Sequence, residues 1–211
     1  MLNALSAIGG NFLNALPSTL EQGLIYAILA LGILITYTIL DFPDLTVDGS
    51  FPLGGAVSSL LVVQGVSPVL ALLTAALCGA AAGLCTGLIH VKLKVRDLFS
   101  GIIVMTALYS INLHITGGNP LVSIPRKAVT LFRNNPVADG LPSAVSTLIL
   151  AAALALLVKL LLDFFLKTRA GFLLRAAGDN ETVVTALAKD KGTVKIWGLM
   201  LANALAALSG G

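Results

Sequence analysis

Long apolar runs separated by short polar stretches occupy most of the chain. A helix needs about 20 apolar residues to cross the hydrocarbon core of a bilayer. Four uninterrupted runs are of that length: Thr19–Leu40, Pro68–Val91, Leu98–Thr116 and Ser143–Leu166. The pattern predicts an all-α fold, a polytopic transmembrane helical bundle.

One further span is interrupted by polar residues. Between Asp41 and Gly55 the sequence reads DFPDLTVDGSFPLGG, and only Pro52–Gly65 is expected to be its regular half, with a helix start at Ser50–Pro52. We therefore expect a broken (discontinuous) second helix. Unpaired backbone groups at membrane depth are tolerated only inside protein or beside a water-filled cavity, and transporters build substrate paths from such breaks.

The break supplies the candidate residues of a translocation path. They are its carboxylates and the small residues after them: Asp41, Asp44, Asp48, Gly49, Ser50, Gly54 and Gly55. Three roles remain open for Asp44 and Asp48. They can cap a half-helix, line a solute path, or couple transport to protons or cations.

The last apolar run, Thr193–Gly211, has too few residues to complete a span comfortably. The chain also ends there without a polar tail or a helix stop signal. We therefore expect the 211-residue chain to be a truncated, single transmembrane domain over residues 1–211.

Composition agrees with a multi-pass membrane protein. The chain is 57% hydrophobic and 11% charged, with a mean hydropathy of +0.97, which excludes an ordinary soluble domain. No Lys or Arg precedes Lys92, and the cations cluster in loops. That distribution indicates control of membrane orientation rather than nucleic-acid binding.

The basic loops predict the orientation of the spans. Cations follow the third span and surround the loop of residues 167–192, so both regions are expected in the cytoplasm. Gly117–Pro142 is then expected outside, although it carries Arg126, Lys127 and Arg133. The N-terminus lies outside if the broken segment crosses once and inside if that segment is re-entrant. The sequence leaves both possibilities open.

The third span carries Gly79, Gly83 and Gly87 at four-residue spacing. Glycine lets a neighbouring backbone approach closely, and close packing drives helix association in lipid. The glycines therefore indicate tight helix packing, either within one subunit or across a dimer interface.

Residues 167–192 form a polar loop that contains a short amphipathic helix. Gly178-Asp179-Asn180-Glu181 favours a turn and a helix start, and Val183, Val184 and Leu187 share one face of the helix that follows. Such a helix can lie in the lipid interface or dock into a groove of a partner protein.

Enzymatic centres are not visible in the sequence. It has no Walker-type glycine loop, no nucleophile elbow and no HExxH motif. His90 and His114 lack a second ligand at metal-binding spacing. We expect no catalytic residues, no metal site and no cofactor bound by this chain.

Two stretches resemble a known family. Leu40–Val57 (LDFPDLTVDGSFPLGGAV) and Leu173–Gly210 (LLRAAGDNETVVTALAKDKGTVKIWGLMLANALAALSG) are similar to permease subunits of ABC importers of the branched-chain amino acid/ribose type. The nearest resemblance is to the subgroup paired with tryptophan/tyrosine-type or uncharacterised binding proteins. Members of the family have several more spans, which supports truncation.

The resemblance implies a coupling helix that docks onto an ATPase subunit. It implies roles for Arg175, Gly178, Asp179, Asn180 and Glu181 at the start of that helix, with Leu187 on its face beside Val184. Where the family usually has a Gly-Ile-Asn-like sequence, this chain has Ala188-Lys189-Asp190. That departure concerns the end of the coupling helix.

The resemblance also implies the function and the partners. A permease of this type imports a small polar solute, such as an amino acid, through the cell (inner) membrane. It works as a homodimer or pseudo-dimer with two cytoplasmic ATPase subunits and an extracellular or periplasmic solute-binding protein. The alternative from the residues alone is a secondary transporter that couples to protons or cations through Asp41, Asp44 or Asp48.

Overall fold

A computed structural model describes residues 2–119, 122, 124–125, 129–131, 143–179 and 190–211. Side chains are described from residue 15 and, in the fifth helix, from residue 146. The regular elements in these residues are helical: α1 (Leu2–Ile33) with a π-helical extension (Leu34–Ile39), α2 (Thr46–Val63), α3 (Pro68–Leu93), α4 (Asp97–Ile115), α5 (Ser143–Leu166), α6 (Arg169–Asp179) and α7 (Lys191–Gly210).

Six helices in the described part of the chain are long and apolar enough to cross a membrane. They are α2, α3, α4 and α7 in full, Ala15–Ile39 of α1 with its extension, and Ser146–Leu166 of α5. The predicted all-α, polytopic transmembrane bundle is confirmed.

The second helix differs from the prediction. The expected start at Ser50–Pro52 is wrong: α2 begins at Thr46 and continues without a break to Val63, with Pro52 inside it. The interruption lies before the helix, at residues 40–45. An internal proline removes one backbone hydrogen bond and costs about 3 kcal/mol. Packing of α2 against α3, α4 and α7 offsets that loss. Helix propensity, read from the sequence alone, does not predict this compensation.

The last helix is also longer than expected. The prediction that this run is too short to span is wrong, because α7 extends over 20 residues, from Lys191 to Gly210. It starts two residues earlier than predicted because the Asp190 carboxylate accepts hydrogen bonds from the Gly192 and Thr193 backbone N–H groups. The carboxylate thus serves as the acceptor for backbone N–H groups in the first turn, which have no carbonyl partner within the helix.

The centre of the bundle is the antiparallel pair α3 and α7. Gly79 lies against Asn203, and Gly87 lies against Ile196. α2 runs parallel to α7, with Gly54 against Ala207. On other sides, α4 packs along α2, α1 packs along α7, and α5 packs along α1.

The helix directions favour one of the two placements that the sequence left open for the N-terminus. α3 ends and α7 begins on the same side of the bundle, where Lys92, Lys94 and Lys191 lie. The π-helical end of α1 is also on this side, because Gly178 of α6 contacts the Ile39 carbonyl. The positive-inside rule predicts that this side is cytoplasmic. Since α2 crosses once, the start of α1 lies on the opposite side.

Candidate translocation site and coupling segment

The α1–α2 connection is a tight turn held by backbone hydrogen bonds. Leu40 N–H donates to the Ile35 carbonyl at 3.0 Å, and Phe42 N–H donates to the Thr36 carbonyl at 2.9 Å. Asp41 has a φ of +50°, a left-handed conformation that aspartate tolerates better than most residues. Phe42 is fully buried and packs edge-on against the His90 ring, with centroids 5.0 Å apart. The turn is therefore anchored to the end of α3.

Asp44 links this turn to α2 and α7. Its Oδ1 accepts from the Thr46 backbone N–H at 2.8 Å, and its Oδ2 accepts from Asn203 Nδ2 at 2.7 Å. The first contact gives the first backbone N–H of α2 an acceptor. The second joins the turn to the middle of another transmembrane helix, so Asp44 supports the local structure through two bonds.

Asn203 is the centre of a buried polar cluster. Its Oδ1 accepts from Ser50 Oγ at 2.7 Å, and its Nδ2 also donates to the Leu199 carbonyl at 3.0 Å. Next to it, the Thr46 and Thr86 hydroxyls share a 2.7 Å hydrogen bond. Asn203, Ser50, Thr46 and Thr86 are all 0% exposed. The cluster therefore ties α2, α3 and α7 together in a region that excludes water.

A cavity of about 810 Å³ lies between α2 and α4 and reaches the end of α7. Its wall includes Asp48, Gly49 and Gly55 of the predicted path, with Tyr109 and Asn112 of α4. Asp48 is exposed, whereas Asn112 is 9% exposed and its Nδ2 donates to the Gly49 carbonyl at 3.1 Å. Asn112 Oδ1 is buried without a hydrogen-bond partner.

The predicted path residues therefore occupy different places. Three of them (Asp48, Gly49 and Gly55) line the cavity, and Asp41 lies in the turn. Asp44 and Ser50 belong to the polar cluster behind the cavity. Gly54 is buried against the Ala207 backbone, and a Cβ there would overlap it. The sequence groups these residues in one segment but does not distinguish those that line the cavity from those packed behind it.

The glycines of α3 all face α7. A Cβ at Gly79 would overlap the Asn203 carbonyl, and one at Gly83 would overlap the Leu199 carbonyl. At Gly87 the nearest atom would be Cγ1 of Ile196, 2.9 Å away. These contacts lie within one chain and bring the α3 and α7 backbones close together.

The described part of the predicted coupling segment is α6, which lies across the end of α1 and the start of α7. Its buried residues Gly171, Leu174 and Ala177 share one face, and Leu174 packs with Leu40 and Leu199. Arg175 and Asp179 are exposed, and Gly178 rests on the Ile39 carbonyl. The other predicted coupling residues, Asn180, Glu181, Val184 and Leu187, lie outside the described residues.

Sequence reasoning missed Asn203, Thr86 and Asn112. Each is a polar residue inside an otherwise apolar span. Such residues usually face the bundle interior or a cavity, so that signal was present. Their partners lie 40 to 159 residues away in sequence, and no local pattern identifies contacts of that range.

Comparisons with known proteins extend this description. The family model described as the permease component of a branched-chain amino acid transport system matches residues 16–211. The chain is 43% identical over 198 residues to the tyrosine transport system permease protein of Clostridioides difficile (strain R20291), covering 94% of this chain and 63% of that protein. No solved structure matches.

Two other relatives are more distant. Uncharacterized protein RP368 of Rickettsia prowazekii (strain Madrid E) is 34% identical over 207 residues, covering 94% of this chain and 67% of that protein. The ribose import permease protein RbsC of Escherichia coli (strain K12) is 28% identical over 217 residues, covering 100% of this chain and 64% of that protein. The chain thus spans about two thirds of the length of these relatives.

The match to the family model covers nearly the whole chain, and it agrees with a bundle of membrane-spanning helices. The resemblance found from the two sequence stretches is confirmed. This multi-pass membrane protein belongs to the family of permease components of branched-chain amino acid transport systems.

Proposed function

We propose that the chain forms the membrane path of an ABC importer for a small polar solute, an amino acid, powered by a partner ATPase. A solute-binding protein outside the cell would deliver the solute, and two permease copies would assemble as a dimer or pseudo-dimer. The observation that carries the proposal is the family match over residues 16–211. The relative named as a tyrosine transport permease favours an amino acid.

In this proposal the solute passes along the α2–α4 cavity, and the ATPase acts through α6. Gly178 of α6 rests on the Ile39 carbonyl, at the start of the turn that carries Asp44. Asp44 is bonded to Asn203 in α7. A push on α6 would therefore reach the base of α2, whose opposite face borders the cavity.

ATPase co-purification with the full-length permease tests this function. Because Leu187 shares an apolar helical face with Val184 in the sequence, Leu187→Glu would bury an unpaired charge in a docking groove. That burial costs several kcal/mol, enough to weaken the complex by orders of magnitude. We expect Leu187→Glu to lose the ATPase and ATP-driven uptake, while the matched variant Leu187→Met retains both.

The second candidate is a secondary transporter. Asp44 is half-buried and forms no ion pair with a lysine or arginine among the described residues, a setting in which protons or cations can bind. Its test is uptake into ATP-depleted vesicles with an imposed proton gradient. Uptake under those conditions, with no ATPase accompanying the wild-type protein, would replace the importer proposal.

A further inference from the structure

We propose that an anionic phospholipid of the cytoplasmic leaflet binds in the apolar groove between Phe165 of α5, Leu173 of α6 and Trp197 of α7. One acyl chain would lie in this groove, and the phosphate would lie beside Lys167 and Arg169. The inference goes beyond the proposed function, because it concerns the lipid-facing surface of the bundle and requires neither a solute nor an ATPase.

The groove has a volume of about 560 Å³ and an apolar wall. Leu174 in this wall is buried. Phe165, Leu173, Trp197 and Leu201 are half-buried or exposed, so the groove opens at the surface of the bundle. Acyl chains are as apolar as leucine side chains. A chain lying in the groove would therefore contact apolar side chains along its length.

The depth of the groove matches one leaflet of a bilayer. Its wall on α7 extends over ten residues, from Val194 to Ala204, which is about 15 Å along the helix axis. Ala80 of α3 lies at the inner end, near the level of Ala204, because the neighbouring Gly79 lies against Asn203. Half of the hydrocarbon core of a bilayer is also about 15 Å thick. One acyl chain therefore extends from the α6 end of the groove to the centre of the bilayer.

Two cations lie at the outer end of the groove. Lys167 follows the wall residue Phe165 by two positions, and Arg169 directly precedes the wall residue Ala170. Both cations are exposed, and neither forms an ion pair in the part of the chain that the structure describes. Lys167 and Arg169 against Asp163 leave a net charge of +1 in residues 163–170. Basic residues beside a groove on the cytoplasmic side attract anionic lipid headgroups.

Trp197 adds a hydrogen-bond donor to the groove. Its side chain is 63% exposed, and its indole N–H donates to none of the described residues. Tryptophan is enriched at membrane interfaces, where its ring contacts apolar chains and its N–H reaches polar lipid groups. The indole therefore suits the ester region of a lipid whose acyl chain occupies the groove.

Tryptophan fluorescence of the full-length permease in lipid vesicles tests the site. Trp197 is the single tryptophan of the 211 residues, and subtraction of the Trp197→Phe signal isolates its emission. Bromine atoms on an acyl chain quench a tryptophan that they contact. Brominated phosphatidylglycerol and brominated phosphatidylcholine are compared in mixed vesicles of these two lipids. We expect phosphatidylglycerol to bind at Trp197 at least about fivefold more tightly than phosphatidylcholine.

Two variants separate a lipid site from general attraction to a charged surface. Arg169→Gln removes one exposed cation, so the preference for phosphatidylglycerol should fall to about a third or less of the wild-type value. Ala204→Phe fills the inner end of the groove and keeps both cations, so the preference should also fall. The control Lys94→Gln removes an exposed cation at the same end of the bundle, outside the groove wall. It should leave the preference unchanged.

Three results would overturn the lipid site. The first is equal binding of the two lipids by wild type, including no quenching of Trp197 by either, as expected if other residues of the full-length chain cover the groove. The second is a preference that Arg169→Gln or Ala204→Phe leaves unchanged. The third is an equal loss of preference in Lys94→Gln, which would indicate attraction to surface charge in general.

Discussion

At the scale of single residues, Asn203 connects parts of the chain that are remote in sequence. It bonds to Ser50 and to Asp44, which lie 153 and 159 residues away. Asn203 and Ser50 are fully buried and Asp44 is half-buried, so losing Asn203 leaves buried polar groups unsatisfied. The cluster therefore contributes to the relative placement of α2 and α7.

Replacement of Asn203 by leucine tests that role. Asn203→Leu would leave the Ser50 hydroxyl and one Asp44 oxygen without their partner, at an expected loss of about 2–4 kcal/mol in the free energy of unfolding. Denaturant unfolding of the purified protein measures it. The control is Ser59→Ala, which removes a buried hydroxyl bonded only to its own helix and should cost less than about 1 kcal/mol. Equal effects of the two variants would contradict the role of the cluster.

Asp190 is a second residue with a testable contribution, outside the membrane spans. A hydrogen bond from Thr193 Oγ1, with others from the Gly192 and Thr193 backbone, lowers the pKa of its carboxyl below the ordinary value. A lowered folded-state pKa stabilises the protein above the unfolded pKa of about 4, and this contribution is lost as the pH falls through the folded pKa.

Asp190→Ala should therefore lower the unfolding temperature at pH 7, and its difference from wild type should shrink below about pH 4. Asp190→Asn is the matched control, because asparagine also caps helices but does not titrate. It should stay close to wild type at neutral pH. If the difference in unfolding temperature between wild type and Asp190→Ala does not change with pH, the carboxylate cap is not its cause.

At the scale of elements, the close approach of α3 to α7 depends on small residues. Gly83 leaves no room for a side chain, since a Cβ would overlap the Leu199 carbonyl. Gly23 in α1 provides a matched helical glycine with no atom within 4 Å of its Cβ position.

Gly83→Leu should separate α3 from α7 and destabilise the protein by about 3 kcal/mol, at the upper end of overpacking effects. Gly23→Leu should change stability much less. Thermal unfolding and the yield of monodisperse protein compare the two variants. Similar behaviour would mean that the two glycines experience the same surroundings, contrary to the packing in the structure.

At the scale of the whole molecule, the helix directions predict which loops face the cytoplasm. Lys94, after α3, should be cytoplasmic, and Asn119, after α4, should be external. The 211 residues contain two cysteines, so Cys78→Ala with Cys85→Ala removes both before single cysteines are introduced at these positions. In intact cells a membrane-impermeant maleimide should label Asn119→Cys but not Lys94→Cys. Reversed labelling would invert the orientation.

Much of the fold follows from local patterns. The lengths of the apolar runs establish the membrane-spanning helices, because the bilayer imposes one length on each crossing. The bounds of α3 and α5 are close to those predicted, since each run is predominantly apolar and has no internal proline. The bounds of α2 and α7 were wrong because packing retained Pro52 inside one helix and the Asp190 cap lengthened the other.

The sequence by itself determined a multi-pass helical membrane protein, the segment around Asp41–Gly55 as its unusual feature, and a resemblance to ABC importer permeases. Only the tertiary structure decided that Asp44 belongs to a buried cluster with Asn203 and that Asp48 borders a cavity with Asn112. The physical reason is the distance along the sequence over which each interaction acts. Hydrophobic length and helix period act over neighbouring residues, whereas a buried polar group is satisfied by whichever helix the packing brings beside it.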